Sequence, residues 1–239
     1  MKQKISKNKR EDNMVLKIGH RGAAGYEPEN TLPSFKKALE LNVDLVELDV
    51  QACKSGELMV IHDLKVDRTT NGTGYVCEKI FNELRILDAG KKQTIPSLQE
   101  ALDMIDKKAK VNIEIKSEGI ARPVFNVILE YVKQKGWSWD DFLVSSFNHY
   151  ELQKFSQLAP QVKTGAIIAG IPIGYAQCAS MLKSYSLHPS KEFINQALVD
   201  DAHNRGLKVY AYTLNEPEDI QKVKLLGVDG IFSNFPDRI

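Results

Sequence analysis

Side chains that bind ions or transfer protons recur where short apolar segments of this chain end. The segments are 15–19, 45–50, 58–62 and 111–115, and the side chains in or just after them are His20, Arg21, Glu47, Asp49, His62, Asp63, Glu114 and Lys116. Hydrolysis of a phosphodiester needs a cation to screen charge, donors for the nonbridging oxygens, and an acid and a base. These residue types supply each of those functions.

Three carboxylates belong to this set: Glu47, Asp49 and Glu114. Burying them without partners is strongly unfavourable, and Arg21 and Lys116 can neutralise only two of them. A divalent cation would balance the remaining charge, and an all-oxygen ligand set favours Mg²⁺ or Ca²⁺, with Mn²⁺ as a further candidate. The residue types alone do not exclude an alternative in which Glu114 and Lys116 form a self-contained ion pair.

Two histidines, His20 and His62, also lie at the ends of predicted strands. Imidazole is suited to general acid and general base work near neutral pH, so we assign that work to His20 and His62. Arg21 can hold phosphate oxygens as a fork, and Lys116 as a point charge. A zinc site with the two histidines as ligands remains an alternative.

Short strand patterns and helical patterns alternate along the whole chain. The strands are predicted at 15–19, 45–50, 58–62, 111–115, 142–146, 164–168, 184–188, 207–213 and 229–233. The helices are predicted at 31–41, 97–107, 122–135, 148–158, 191–204 and 216–226, with a weaker one at 173–182. Such alternation predicts a parallel α/β architecture, either a closed barrel or an open sheet.

The segment 45–62 decides between these two architectures. Lys54-Ser55-Gly56 is a short turn, so residues 45–50 and 58–62 should form an antiparallel hairpin. Removing the second half of this hairpin leaves eight parallel strands, the number in a TIM-type (β/α)8 barrel. We therefore predict a single barrel with a β-hairpin lip after strand 2. A turn centred near Ser55 pairs residues whose numbers sum to about 111, which places Asp49 beside His62.

Composition indicates one globular domain. The chain has 239 residues, 43% of them hydrophobic and 26% charged, with a net charge of +1. This balance suggests no nucleic-acid partner, and no segment is suited to stable membrane insertion. Three cysteines without C-x-x-C spacing favour a reducing, cytoplasmic location. We predict that residues 1–13 form a disordered basic tail and that residues 14–239 form the barrel.

Ordered motifs along the chain resemble those of the glycerophosphodiester phosphodiesterase family. The motifs are HRGAAGYEPENT, ELDVQACKSGELMVIHD, DRTTNGTG, IPSLQEAL, IEIK, SSFN, YAYTLN and GVDGIFSNFP. The resemblance covers nearly all of residues 15–239, and eight motifs in order are far more specific than any one of them.

The resemblance implies a role for each residue of the predicted site. The metal ligands would be Glu47, Asp49 and Glu114; the acid/base pair His20 and His62; the phosphate ligands Arg21 and Lys116; the walls of the glycerol pocket Phe147 and Tyr212; and the orienting residues Asn30 and Asp63. The family often has tryptophan at the position of Tyr212, so the wall here would be smaller or offer a hydroxyl.

The resemblance also implies the reaction. A glycerophosphodiester would be split into sn-glycerol 3-phosphate and an alcohol, with a cyclic phosphate formed by the 2-hydroxyl and opened by water. Two alternatives stay open: a lysophospholipase D-type enzyme with an apolar track at Ile171, Pro172, Ile173 and Tyr175, and a noncatalytic phosphoglycerol-binding protein. The headgroup, the native metal, the order in which the histidines act and the oligomeric state are left open.

Overall fold

Nine strands alternate with eight α-helices in residues 15–239, the part of the chain that this computed structural model describes. The predicted basic tail lies outside the described residues. The strands are β1 Leu16–Gly19, β2 Leu45–Ala52, β3 Leu58–Val60, β4 Lys110–Ile115, β5 Phe142–Ser146, β6 Lys163–Ile168, β7 Ser186–Pro189, β8 Lys208–Ala211 and β9 Gly230–Ser233. The helices are α1 Leu32–Glu40, α2 Phe81–Arg85, α3 Leu98–Ile105, α4 Ala121–Gln134, α5 His149–Leu158, α6 Gln177–Met181, α7 Gln196–Asn204 and α8 Pro217–Leu225.

Eight of the strands close into a parallel barrel. Strand β1 pairs in parallel with β2 on one side and with β9 on the other, and the remaining strands β4 to β8 complete the ring. Helices lie between successive barrel strands, so the predicted TIM-type (β/α)8 barrel is confirmed. Among residues 15–239, no helix combines the length and the apolar character needed to cross a membrane.

Strand β3 is the returning arm of the predicted hairpin and pairs antiparallel with β2. The predicted register was wrong by one residue: Val50 lies opposite Val60, and the main-chain N–H of Ile61 donates to the Asp49 carbonyl at 3.0 Å. The turn closes symmetrically about Ser55, so paired numbers sum to 110. His62 therefore follows the residue that faces Asp49.

Three groups of buried apolar side chains stabilise this arrangement. The largest lies between the strands and the surrounding helices, and a second fills the barrel interior with Ile18, Leu45, Leu143, Tyr210 and Phe232. The third belongs to the lip, by which we mean residues 53–96. Its members are Cys53, Met59, Ile61, Val66, Val76, Leu84, Ala89 and Ile95. The lip thus has its own small core.

Three helical segments differ from the sequence prediction, and one of them is the weaker helix predicted at 173–182, which is confined to Gln177–Met181. The predicted helix at 191–204 consists of a short 3₁₀ turn, Lys191–Phe193, and the helix α7, which begins at Gln196. Asn195 is extended and its side-chain oxygen accepts from the Leu198 N–H at 2.9 Å, so it caps α7 and interrupts the helical pattern. The five-residue helix α2 within the lip was not predicted because it is too short for a periodic pattern.

Candidate functional site

A cavity with an empty volume of about 270 Å³ opens at the carboxyl ends of the barrel strands. Its lining combines titratable, amide, hydroxyl and aromatic groups: His20, Glu47, Asn112, Glu114, Ser145, Phe147, Ile167, His188, Tyr212 and Phe232. In a parallel barrel this end carries the loops that vary between enzymes, so the cavity is the candidate active site.

The three predicted carboxylates lie close together, and two of them, Glu47 and Glu114, line this cavity. One oxygen from each of Glu47, Asp49 and Glu114 lies within 4.8 Å of the others. Strand register explains the meeting, because Asp49 pairs with Glu114 across β2 and β4, and alternation places Glu47 on the same face as Asp49. Three oxygen donors at this spacing are suited to a hard divalent cation.

Basic and amide side chains contact only one of the two carboxylate oxygens of Asp49 within 3.3 Å. Its Oδ2 accepts from Asn30 Nδ2 at 2.8 Å and lies 3.3 Å from Arg21 Nε. Its Oδ1 is buried without a hydrogen-bond partner, and Lys116 Nζ is 3.8 Å away from it. A buried carboxylate oxygen with no partner is costly, so this atom is a candidate ligand position.

Mutual repulsion and burial perturb the other two carboxylates. Burial, reinforced by Asp49 and Glu114, raises the pKa of Glu47 well above its usual range. Burial and the charge of Asp49 raise the pKa of Glu114 to about 7, although Lys116 Nζ lies 2.6 Å from Glu114 Oε1. Because three acids face two cations here, the ion pairs leave the carboxylates undercompensated. The closed Glu114–Lys116 pair therefore does not neutralise the cluster.

The backbone at Arg21 ties the end of β1 to this cluster. Its N–H donates to Glu47 Oε2 at 2.6 Å, and its carbonyl accepts from the Asn30 N–H at 3.1 Å and from Ser34 Oγ at 2.8 Å. Arg21 has a φ of +52°, a left-handed conformation that is unfavourable for a residue with a side chain. These bonds hold it there, which directs the guanidinium toward Asp49 and Glu29.

His20 lines the cavity in a defined tautomer. Its Nδ1 lies 2.7 Å from Asn234 Oδ1, and since an amide oxygen only accepts, Nδ1 carries the proton. Asn234 is itself held by Asn215, whose Oδ1 accepts from the Asn234 N–H at 2.9 Å. Burial and the neighbouring Arg21 lower the pKa of His20 to about 4. The neutral ring therefore keeps an unprotonated Nε2 that can accept a proton.

His62 lies on the lip, directly after β3. Its Nδ1 donates to Asp63 Oδ1 at 2.6 Å, so its Nε2 is also the free ring nitrogen. The side chain of Gln51, which is buried, donates to the carbonyls of Ile61 and His62 at 3.2 and 3.0 Å and fixes this part of the loop. His62 lines a smaller cavity with Glu29 and Asn30, beside the three-carboxylate cluster.

Phe147 and Tyr212 form an aromatic wall of the main cavity. Their ring centroids are 5.9 Å apart in an edge-to-face arrangement, and Lys116 Nζ lies 5.5 Å from the centroid of Phe147. The Tyr212 hydroxyl donates to the Ile168 carbonyl at 3.0 Å. The hydroxyl that a tyrosine brings to this position is therefore engaged with the backbone of β6.

Several residues of the site escaped sequence reasoning. They are Glu29, Gln51, Arg68, Asn112, His188 and Asn234. His188 is fully buried in the barrel beneath the carboxylates, between Tyr210 and Phe232, and burial lowers its pKa to about 3. Position at a strand end could have indicated Asn234 and His188, since both belong to or follow barrel strands, whereas nothing in the local pattern marks Gln51 or Arg68.

Comparison with known proteins gives the site its context. A sequence profile of the glycerophosphoryl diester phosphodiesterase family matches residues 20–238. A glycerophosphodiester phosphodiesterase of Caldanaerobacter subterraneus is 38% identical over 234 residues, which are 94% of this chain and 96% of that protein. The chain belongs to the glycerophosphoryl diester phosphodiesterase family. The enzyme class predicted from the sequence motifs is thereby confirmed.

Other members of the family agree in sequence and in structure. A glycerophosphodiester phosphodiesterase of Bacillus subtilis is 32% identical over 93% of this chain and 84% of its own length. A phosphodiesterase of Oleispira antarctica, solved in complex with the product sn-glycerol-3-phosphate, superposes with a TM-score of 0.86 at 33% identity and covers 93% of this chain and 94% of that chain. A phosphodiesterase with a similar structure has therefore been solved with its product.

Proposed function

We propose that the chain hydrolyses glycerophosphodiesters to sn-glycerol 3-phosphate and an alcohol, with one divalent cation held by Glu47, Asp49 and Glu114. The observation that carries this proposal is the buried Oδ1 of Asp49, which has no hydrogen-bond partner, in a residue that brings one carboxylate oxygen within 4.8 Å of an oxygen of Glu47 and of Glu114. Oxygen ligands favour Mg²⁺ or Ca²⁺, with Mn²⁺ as a third candidate. When bound, the cation screens the negative charge of the phosphodiester.

The side chains of this chain then have separate tasks. Arg21 and Lys116 hold the nonbridging oxygens, and their charge is secured because carboxylates raise the pKa of both groups in spite of burial. Phe147 and Tyr212 pack against the glycerol carbons. Asn30 orients Asp49, and Asp63 orients His62.

His20 and His62 move the protons. One free Nε2 takes the proton of the glycerol 2-hydroxyl as its oxygen attacks phosphorus, and the other histidine, protonated, donates to the departing alkoxide as its bond to phosphorus breaks. Water then opens the cyclic phosphate with the roles of the histidines exchanged. Each histidine has its Nδ1 proton bound to an oxygen acceptor, which supports this use of the opposite nitrogen.

A second candidate substrate class is the lysophospholipids. The loop after β6 exposes Ile173 completely and Ile171 by about half, and an acyl chain would bind to such side chains. They lie in the lead-in to the short helix α6, which begins at Gln177. A noncatalytic phosphoglycerol-binding protein would have no need for two oriented histidines.

The experiment is a turnover assay on chelated protein to which Mg²⁺, Ca²⁺ or Mn²⁺ is returned. Glycerophosphocholine should yield sn-glycerol 3-phosphate with at least one of these ions and faster than lysophosphatidylcholine yields lysophosphatidic acid. Faster cleavage of lysophosphatidylcholine would favour the second candidate, and binding of sn-glycerol 3-phosphate with no turnover of either substrate would favour the noncatalytic protein. Full activity after exhaustive chelation would remove the cation from the proposal.

A further inference from the structure

Arg68 of the lip contacts two carboxylates at once. Its Nε and Nη2 donate to Asp63 Oδ2 and Oδ1 at 2.6 and 3.0 Å. Its Nη1 and Nη2 donate to Glu29 Oε2 and Oε1 at 2.8 and 2.7 Å. Four hydrogen bonds from one planar guanidinium fix the two carboxylates relative to each other, which the point charge of a lysine does not do.

Each of these carboxylates also binds a side chain of the candidate active site. The Oε1 of Glu29 that accepts from Arg68 accepts from Arg21 Nη1 as well, at 2.7 Å. The Oδ1 of Asp63 that accepts from Arg68 accepts from His62 Nδ1 as well, at 2.6 Å. A continuous chain of hydrogen bonds therefore runs from Arg21 through Arg68 to His62.

The two ends of this chain belong to different parts of the fold. Glu29 lies in the loop after β1, whereas Asp63 and Arg68 belong to the lip, which has its own core. The backbone around Arg68 is anchored there, because Val66 is fully buried and its carbonyl accepts from both the N–H and the hydroxyl of Thr70. Arg68 is thus placed to hold the lip at a set position over the barrel mouth.

We propose that Arg68 is a positioning residue that holds the acid/base side chain His62 in a fixed position relative to the phosphate-binding side chain Arg21. The inference rests on the proposed function, since it concerns the same reaction. Arg68 touches neither the three-carboxylate cluster nor the aromatic wall in the contacts described above, so its effect passes through Glu29 and Asp63. Its side chain is 48% exposed, and exposed ion pairs contribute little to folding stability. Its main contribution is therefore to geometry.

The test compares Arg68→Gln, Arg68→Lys and the wild type in steady-state hydrolysis of glycerophosphocholine. Because a misplacement of about 1 Å can cost roughly 10²-fold in rate, Arg68→Gln should lower kcat by at least about tenfold through His62 and raise KM by about fivefold or more through Arg21. Arg68→Lys keeps the positive charge but lacks the planar guanidinium that donates to both carboxylates. Its kcat should therefore stay at least about fivefold below the wild type. Arg68→Gln should melt only slightly below the wild type and stay folded at the assay temperature, because the ion pairs that it breaks are partly exposed.

Arg205→Gln is the matched control. Arg205 also pairs through its guanidinium with a carboxylate, Asp201 at 2.8 Å, but at the carboxyl end of α7, and neither residue lines the cavity. Its replacement should leave kcat and KM within about twofold of the wild type, as usual for an exposed pair. The inference is overturned if Arg68→Gln behaves like this control, or if Arg68→Lys recovers the full wild-type kcat.

A separate measurement distinguishes failure of this inference from failure of the proposed function. Absence of turnover in the wild type counts against the proposed function alone. Binding of inorganic phosphate, followed by calorimetry, then reports on the Arg21 end of the chain: Arg68→Gln should bind phosphate at least about fivefold more weakly than the wild type, as expected for a displaced fork. Equal phosphate affinity in the two proteins would overturn the role of Arg68 at that end.

Discussion

The main-chain N–H of Arg21 donates to Glu47 Oε2 at 2.6 Å, so Arg21, the proposed phosphate ligand just after β1, and the first carboxylate of β2 are held together. The bond uses one oxygen of Glu47 and leaves the other for a ligand. It also explains why Arg21 keeps its left-handed backbone, since the conformation turns its N–H toward the cluster. In the proposed function, this backbone bond links the residue that holds the phosphate to a residue that holds the cation.

Metal binding should release protons. Metal ligands must be ionised, whereas burial and the neighbouring acids raise the pKa of Glu114 to about 7 and that of Glu47 well above its usual range. Titration calorimetry at pH 6 in two buffers with different ionisation enthalpies should give different apparent enthalpies, and the difference should shrink in Glu114→Gln. Equal enthalpies in both buffers would contradict the raised pKa values.

The same groups set how the metal-free protein responds to pH. A carboxyl whose pKa is raised by folding takes up a proton when the chain folds, in the window between its unfolded pKa near 4.5 and its folded value of about 7. The contribution of Glu114 to the free energy of unfolding should therefore fall as pH rises through this window, and bound metal should remove the effect. Urea unfolding at pH 5 and pH 8 measures it, with Glu114→Gln as the reference.

The kcat of the enzyme should depend on both His20 and its hydrogen-bond partner Asn234. His20→Ala should lower kcat by about 10²–10⁴-fold, because it removes a group to which the proposed mechanism assigns a proton transfer. Asn234→Ala should cost roughly 10–100-fold, because the ring loses the acceptor that fixes its tautomer. His203→Gln is the control, since His203 pairs with Asp229 at the amino end of the barrel strands. Unchanged kcat in Asn234→Ala would show that the tautomer does not depend on Asn234.

Glu29 should stabilise the protein above pH 4.5 and lose that contribution on acidification. Burial opposes its ionisation, but hydrogen bonds from Arg68 and the charge of Arg21 prevail and lower its pKa to about 2. A carboxylate with a lowered folded pKa stabilises fully above its unfolded value near 4.5, and the contribution disappears as pH falls toward about 2. The difference in melting temperature between the wild type and Glu29→Gln should therefore narrow as pH falls from 5 to 3. A constant difference would contradict the lowered pKa.

Gly165 should tolerate no side chain. A Cβ there would lie 2.5 Å from two atoms of the His188 ring, whereas a Cβ at Gly170, two residues beyond β6, would meet nothing within 4 Å. Gly165→Ala should therefore lower the free energy of unfolding by about 1–3 kcal/mol, and Gly170→Ala should leave it unchanged or slightly higher. Denaturant unfolding of both variants measures this, and equal stability would show that His188 moves aside without cost.

Sequence reasoning grouped the three carboxylates and the two histidines because all five lie in or shortly after predicted strands. Parallel strands of a barrel bring their carboxyl ends together, so Glu47, Asp49 and Glu114 could be grouped without coordinates. The register of the hairpin was missed by one residue because turn geometry, and not the strand pattern, decides which residues face each other. The free Oδ1 of Asp49 could not be predicted either, since it depends on how far Lys116 reaches.

The contacts that orient the side chains of the site could not be predicted, because they join segments that are far apart in sequence. Arg68 and Glu29 are 39 residues apart, and His20 and Asn234 are 214 residues apart. Neither pair leaves a periodic or spaced pattern, so only the three-dimensional packing of the lip and of the loop after β9 brings them together. The family motifs contain all four residues but do not state their partners.

The most direct test of the whole account counts divalent ions and product in the same samples. Wild-type protein should bind one ion per chain and release sn-glycerol 3-phosphate from glycerophosphocholine, and Asp49→Asn should lose both. Glu151→Gln is the control, because Glu151 is a buried carboxylate that accepts from the Ala121 N–H at 2.8 Å outside the cavity, and this variant should keep both. Wild-type turnover by an Asp49→Asn protein that binds no ion would contradict the account.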